Sequence, residues 1–151
     1  MIDDTFTAYQ VKEDRAKRLK EEILPHNKEI VFAALRSAGI IEVAIGFDGA
    51  SDEGAFGQLI AFDAANSEVP IPTSEITIKT VEFDTGTVED AMITVPDYLE
   101  HLASDLLDEK HSYWEDGDGA YGTFRFSVTD QIITLEFNER YTASEYHEHH
   151  F

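Results

Sequence analysis

Apolar residues recur along this chain at two spacings, and the changes of period mark its elements. From Gln10 to Ala38 the residues favour helix, and Ile30, Val31, Ala34 and Leu35 form a stripe able to dock on a sheet. The first half of that segment has mixed charges and only a thin stripe, Ala16, Leu19 and Ile23, which reads as a solvated outer face. Pro25 predicts a kink or break near Leu24, because proline removes a donor and clashes with the preceding turn. Gly39 supplies a helix stop. Residues 1–9 carry no clear period and are expected to fray.

The period then drops to two. Ile41, Val43, Ile45 and Phe47 alternate with Glu42, Ala44 and Gly46 and predict a strand, and Phe56–Phe62 predicts its return. Residues 63–74, with Pro70 and Pro72, form a connector, and Glu75–Phe83 reads as a third strand. The segment 88–95 fits either a short helix or a strand. From Pro96, which suits a first helical position, Leu99, Leu102, Ala103, Leu106 and Leu107 predict a helix with an acidic outer side, ending about Lys110. Two strands follow, 121–129 and 131–138, each with one buried face, Phe124, Phe126 and Val128 on the first and Ile133, Leu135 and Phe137 on the second, on the same side of the sheet. Asp130-Gln131 is the turn between them. The predicted order is α-β-β-β-α-β-β. That order implies an α+β fold, an antiparallel sheet of about five strands with helices packed on one face.

Charge changes the picture more than length does. The 151 residues fit one domain, a helical segment 10–38 followed by a sheet-rich core 40–151. The net charge is −20, and its distribution is uneven. Residues 1–36 hold seven bases and seven acids, so residues 37–151 hold 24 acids and only four bases, Lys79, Lys110, Arg125 and Arg140. Such a field repels nucleic acid and membranes and attracts basic surfaces. No cysteine is present, which excludes disulfides and thiolate metal sites, and neither a signal-peptide layout nor a long apolar run is visible, so a cytoplasmic location is expected.

Two acidic glycine loops stand out, D-G-A-S-D-E-G from Asp48 and E-D-G-D-G-A-Y-G from Glu115. Clustered carboxylates with glycines can supply the oxygen ligands of a hard cation. The EF-hand spacing fails in both, since Asp116 and Asp118 are followed by Ala120 and Tyr121. The same residues fit plain glycine turns with solvated carboxylates. At the end of the chain, Glu145, His147 and His149 would share a face of an extended segment and can offer imidazole and carboxylate to a transition metal. They also fit a solvated end with Tyr146 and Phe151 packed inward. Trp114, Tyr113 and Tyr121 can stack on a ligand or form an aromatic corner under the second loop. No G-x-S-x-G, cysteine nucleophile or phosphate-binding G-x-x-x-x-G-K is present, so no catalytic residue is assigned.

The strings G-F-D-G-A-S-D-E-G, Y-W-E-D-G-D-G-A-Y-G-T-F, I-T-L-E-F-N-E-R and E-Y-H-E-H-H-F resemble, in that order and over residues 40–151, a family of small bacterial, plasmid and phage proteins known only as a domain of unknown function. The resemblance implies a compact cytoplasmic domain carried on mobile elements, with the final histidines part of the protein. It carries no catalytic residue across.

Charge and resemblance together lead to one expectation: a non-enzymatic acidic binding protein that meets a basic protein surface. Its sharp form is a nucleic-acid mimic occupying the DNA- or RNA-binding cleft of a host defence protein. The contact residues would be Asp48, Asp52, Glu53, Glu115, Asp116 and Asp118. Direct nucleic-acid binding, membrane binding and a cofactor are not expected. An acidic domain with no such partner fits as well. The alternative is a metal-binding module or metal-dependent enzyme, holding a divalent cation in the loops or at the terminal histidines. A homodimer through open sheet edges is a further possibility.

Overall fold

The structure is a computed structural model that describes residues 4–151. Its elements run α1 (Asp4–Ser37), β1 (Ile40–Ala50), β2 (Glu53–Asp63), β3 (Glu68–Val69), β4 (Glu75–Val81), β5 (Val88–Thr94), α2 (Val95–Lys110), β6 (Ala120–Ser127) and β7 (Ile132–Glu139). The fold is α+β, as the pattern implies, but the strands form two sheets. A five-stranded antiparallel sheet has the order β3-β2-β1-β6-β7, and β4 and β5 form a separate two-stranded ribbon. The expected order α-β-β-β-α-β-β therefore lacks two strands. The ambiguous segment is β5, and the connector contains β3.

The departure has a local cause. Strand β3 stops after Val69, immediately before Pro70, and Pro72 follows in a connector without regular structure; proline is disfavoured in strands. The third expected strand, β4, then pairs with β5 instead of with β2. Its other edge is closed by helix α1. Asn27, the one buried polar residue among those described, donates through Nδ2 to the Lys79 carbonyl at 2.8 Å. Its Oδ1 accepts from the Lys79 N–H at 2.7 Å. One side chain thus replaces one residue of a neighbouring strand, and both backbone groups are satisfied. Burial lifts the pKa of Tyr98 on α2, which lies beside Asn27, to about 12.

Helix α1 runs for 34 residues through Pro25, so of the expected kink or break the break does not occur. An interior proline costs about 3 kcal/mol, and tertiary contacts on both sides hold the helix against it. Downstream, Val31, Phe32 and Leu35 are fully buried; Phe32 lay outside the expected stripe, while Ile30 is only half-buried. Upstream, Ala16 is buried, and the Arg15 guanidinium donates to the carbonyls of Phe83 and Asp84 at 3.3 and 3.0 Å. Tyr9 packs on Phe83 with ring centroids 5.6 Å apart, and Lys12 pairs with Asp84 at 3.3 Å. The first half of the helix is therefore docked on the β4–β5 turn and is not only a solvated face. Residues 4–9, expected to fray, are helical, and residues 1–3 lie outside the described residues.

The strand pattern is otherwise as expected. Val43, Ile45 and Phe47 of β1 and Phe124, Phe126 and Val128 of the β6 segment are buried, together with Leu99, Leu102, Ala103 and Leu107 of α2. They join the α1 stripe in one hydrophobic core. A register shift between Ile40 and Glu42 turns Ile40 inward and leaves Ile41 exposed. Thr94 caps α2 by accepting from the Asp97 N–H at 3.3 Å, with Pro96 in the first turn.

Candidate functional site

The two acidic loops, distant in sequence, meet at one end of the five-stranded sheet. Ser51 and Asp52 are the two turn residues between Ala50 and Glu53, with φ of 54° and 67°. Positive φ at both central residues is the geometry of the hairpin turn that matches strand twist, normally filled by Asn-Gly. Here two residues with side chains occupy it, at a cost of about 1–2 kcal/mol each. The second loop holds them there. The Ser51 N–H donates to the Gly117 carbonyl, and the Asp52 N–H to the Glu115 carbonyl, each at 2.9 Å.

The second loop is itself two successive turns. The Asp116 N–H donates to the Tyr113 carbonyl and the Gly119 N–H to the Asp116 carbonyl, both at 3.0 Å. Gly119 has φ +78° and lies against the Gly49 carbonyl so closely that a Cβ would overlap it. Trp114 lies under the junction. Its ring meets Phe47 edge-on at 5.3 Å and Phe56 at 6.3 Å. It also covers Gly49 and Gly54, where a Cβ would come within 2.6 and 2.5 Å of the indole. The aromatic corner expected under the loop is present, with Phe47 in the place expected for Tyr113 and Tyr121. Tyr113 is 77% exposed at φ 65°, and Tyr121 lies outside under the Arg140 guanidinium at 4.6 Å.

The junction brings together three of the six expected contact residues: Asp52, Glu115 and Asp116. The pKa of Asp116 is raised, first by a hydrogen bond shared with the Asp52 carboxyl, then by slight desolvation and by the charges of Asp52 and Glu115. Asp108 from α2 belongs to the same array. Its pKa is raised by burial first and then by Glu115 and Asp105. The other three stand apart. Asp48 is paired with Arg140 at 2.9 Å, Asp118 accepts from the Thr142 hydroxyl at 2.7 Å, and Glu53 is exposed at the start of β2.

Arg140 and His111 are residues that the sequence pattern left unassigned or underread. Arg140 also donates to the Gly49 and Ala120 carbonyls at 3.3 and 3.5 Å, so it ties the end of β7 to the first loop. Its rarity was the only available signal: it is one of four bases after residue 36. His111 caps α2 through its backbone, and its ring stacks flat on Phe137 at 3.6 Å. Beside them opens a cavity of about 120 Å³ lined by His111, Tyr113, Trp114, Asp116, Glu139 and Arg140.

The terminal residues contribute little geometry. Residues 141–151 are exposed and carry no regular structure. His147 lies 3.5 Å from Glu145, and the His147 and His149 rings are parallel with centroids 6.5 Å apart. Among the described residues, no group of three His, Cys, Asp or Glu side chains is placed to hold a metal ion, at the terminus or at the loops. Tyr146 and Phe151, expected to pack inward, are exposed.

The fold and site thus define an α+β protein with a carboxylate junction at one sheet end. Its sequence matches a family of unknown function, DUF6878, over residues 23–151, and the chain belongs to that family. The match leaves out residues 1–22, and with them the part of α1 before Ile23 that docks on the β4–β5 turn. No curated protein and no solved structure matches the chain.

Proposed function

We propose that this protein is a non-enzymatic binding protein whose acidic loop junction engages a basic protein surface. The observation that carries this reading is the backbone stitching of the two loops, which holds Asp52, Glu115 and Asp116 together despite their mutual repulsion. A basic partner relieves that repulsion when it binds. Three of the four bases after residue 36 support the same reading, because each is engaged within the chain: Lys79 with Asp90, Arg125 with Glu136 and Glu42, and Arg140 with Asp48. The field that residues 37–151 present outward is therefore nearly all negative. No helix among the described residues is long and apolar enough to cross a membrane.

In its sharp form the protein mimics nucleic acid and fills the binding cleft of a DNA- or RNA-binding protein, in the cytoplasm of a cell carrying a phage or plasmid. A mimic must be densely acidic and fixed in shape, since duplex DNA presents about one charge per 1.7 Å of axis. The test starts from a pull-down out of host lysate at low and high salt. A single nucleic-acid-binding protein, released by salt or by duplex DNA, is the expected result. Reversing Asp52, Glu115 and Asp116 to Lys should then weaken that purified pair roughly tenfold or more. Binding unchanged by the reversal would remove these residues from the interface.

A further inference from the structure

The β2 strand carries an unpaired backbone edge beside an apolar groove. It pairs with β1 from Glu53 to Phe56 and again from Leu59, with a bulge at Gly57 and Gln58 opposite Gly46, and β3 covers only Ala61 and Phe62 on the other side. From Glu53 to Ile60 the outer edge has no strand partner among the described residues. Its N–H and C=O groups are a template for one more strand. Strand β3 ends at Val69, immediately before Pro70, and so leaves this stretch of the edge open.

An open groove of about 750 Å³ adjoins the same edge. Leu59, Val69, Ile71 and Pro96 supply its apolar lining, and Glu68 and Glu100 stand with them as its charged members. At the other end, the edge begins at Glu53, next to Asp52 in the loop junction. No Lys or Arg lines the groove. An occupant must therefore offer backbone hydrogen bonds along its length, an apolar side chain to the groove and positive charge to its acidic members.

We infer that the β2 edge and the adjoining groove bind an extended segment of a basic partner by strand addition, with apolar and Lys or Arg side chains alternating. The inference rests on the proposed basic partner for its charge, and adds a backbone-paired site that the loop junction does not require. The opposite edge, β7, also has no outer strand among the described residues, but the groove does not reach it.

The test uses the full chain and a synthetic peptide of about eight residues alternating lysine and valine. Its controls are a fully N-methylated copy and a glutamate–valine peptide. Amide hydrogen exchange locates the binding. The lysine–valine peptide should protect amides between Glu53 and Ile60, and neither control should. Glu68→Lys with Glu100→Lys, both exposed, should weaken binding roughly tenfold. Reversal at Asp52, Glu115 and Asp116 should leave protection of the edge in place.

Protection confined to the loop junction would overturn the inference while leaving the acidic-junction reading intact. Equal binding of the N-methylated copy, or protection along β7, would also overturn it. Protection of the β2 amides that grows with protein concentration and without peptide would replace the occupant with a second copy of the chain.

Discussion

The two acidic glycine loops have nearly the same composition and opposite structural roles. The first, between β1 and β2, is a two-residue hairpin turn that stays in register up to Ala50 and Glu53. The second, between α2 and β6, is a pair of turns whose carbonyls accept the first loop's amides. Glycines serve each differently. In the first loop, Gly49 and Gly54 make room for the Trp114 ring, whereas in the second, Gly119 combines a positive φ with contact on the Gly49 carbonyl. The conformational demand in the first loop falls instead on Ser51 and Asp52. Similar composition therefore does not mean similar conformation. One loop is rigid through strand pairing, and the other through what it presses against.

That contrast is most directly broken at Gly119. Gly119→Ala combines left-handed strain with overlap on the Gly49 carbonyl, and should cost roughly 2–5 kcal/mol in chemical denaturation. Gly117→Ala, in the same loop with φ +61° and nothing within 4 Å, should cost only about 1 kcal/mol. Equal losses would show that backbone strain and not the loop contact sets the cost. Trp114→Ala comes next, at about 3 kcal/mol, because it empties the space over Gly49 and Gly54. It should also speed amide exchange at Ser51 and Asp52, which a loss of general packing would not single out.

A fourth change acts in the stabilising direction. Replacing Ser51-Asp52 by Asn-Gly supplies the residues that the turn favours and removes one partner of the carboxylate pair. It should raise stability by about 1 kcal/mol, read as a higher Tm. No gain would mean that the second loop already offsets the strain in full.

The smallest effect is the pH dependence of Asp116. Its pKa is raised in the folded state, so the folded protein holds this proton at a pH where the unfolded chain has lost it. Stability is therefore lost as pH rises through the folded pKa and recovered as pH falls toward the unfolded value. Asp116→Asn should flatten that part of the profile. The Asp90 carboxyl has the opposite sign: its hydrogen bond and charge contact with Lys79 lower its pKa, and that contribution fades as pH falls. The difference between wild type and Asp116→Asn at each pH isolates the junction.

Much of the architecture was legible because it depends on local periodicity. Alternation of Val43, Ile45 and Phe47, and of Phe124, Phe126 and Val128, determined the buried faces. The spacing from Leu99 to Leu107, with Thr94 and Pro96 before it, determined α2 and its start. The restriction of net charge to residues 37–151 needed only counting. Tertiary structure decided the rest. Pro25 reads as a break in isolation, and contacts on both sides of it keep α1 continuous. Strand β4 lies outside the main sheet with its edge closed by Asn27, a pairing across sequence that no period encodes. Only the folded chain could select Asp52, Glu115 and Asp116 from 31 carboxylates, because the hydrogen bonds that join them connect two loops far apart in sequence.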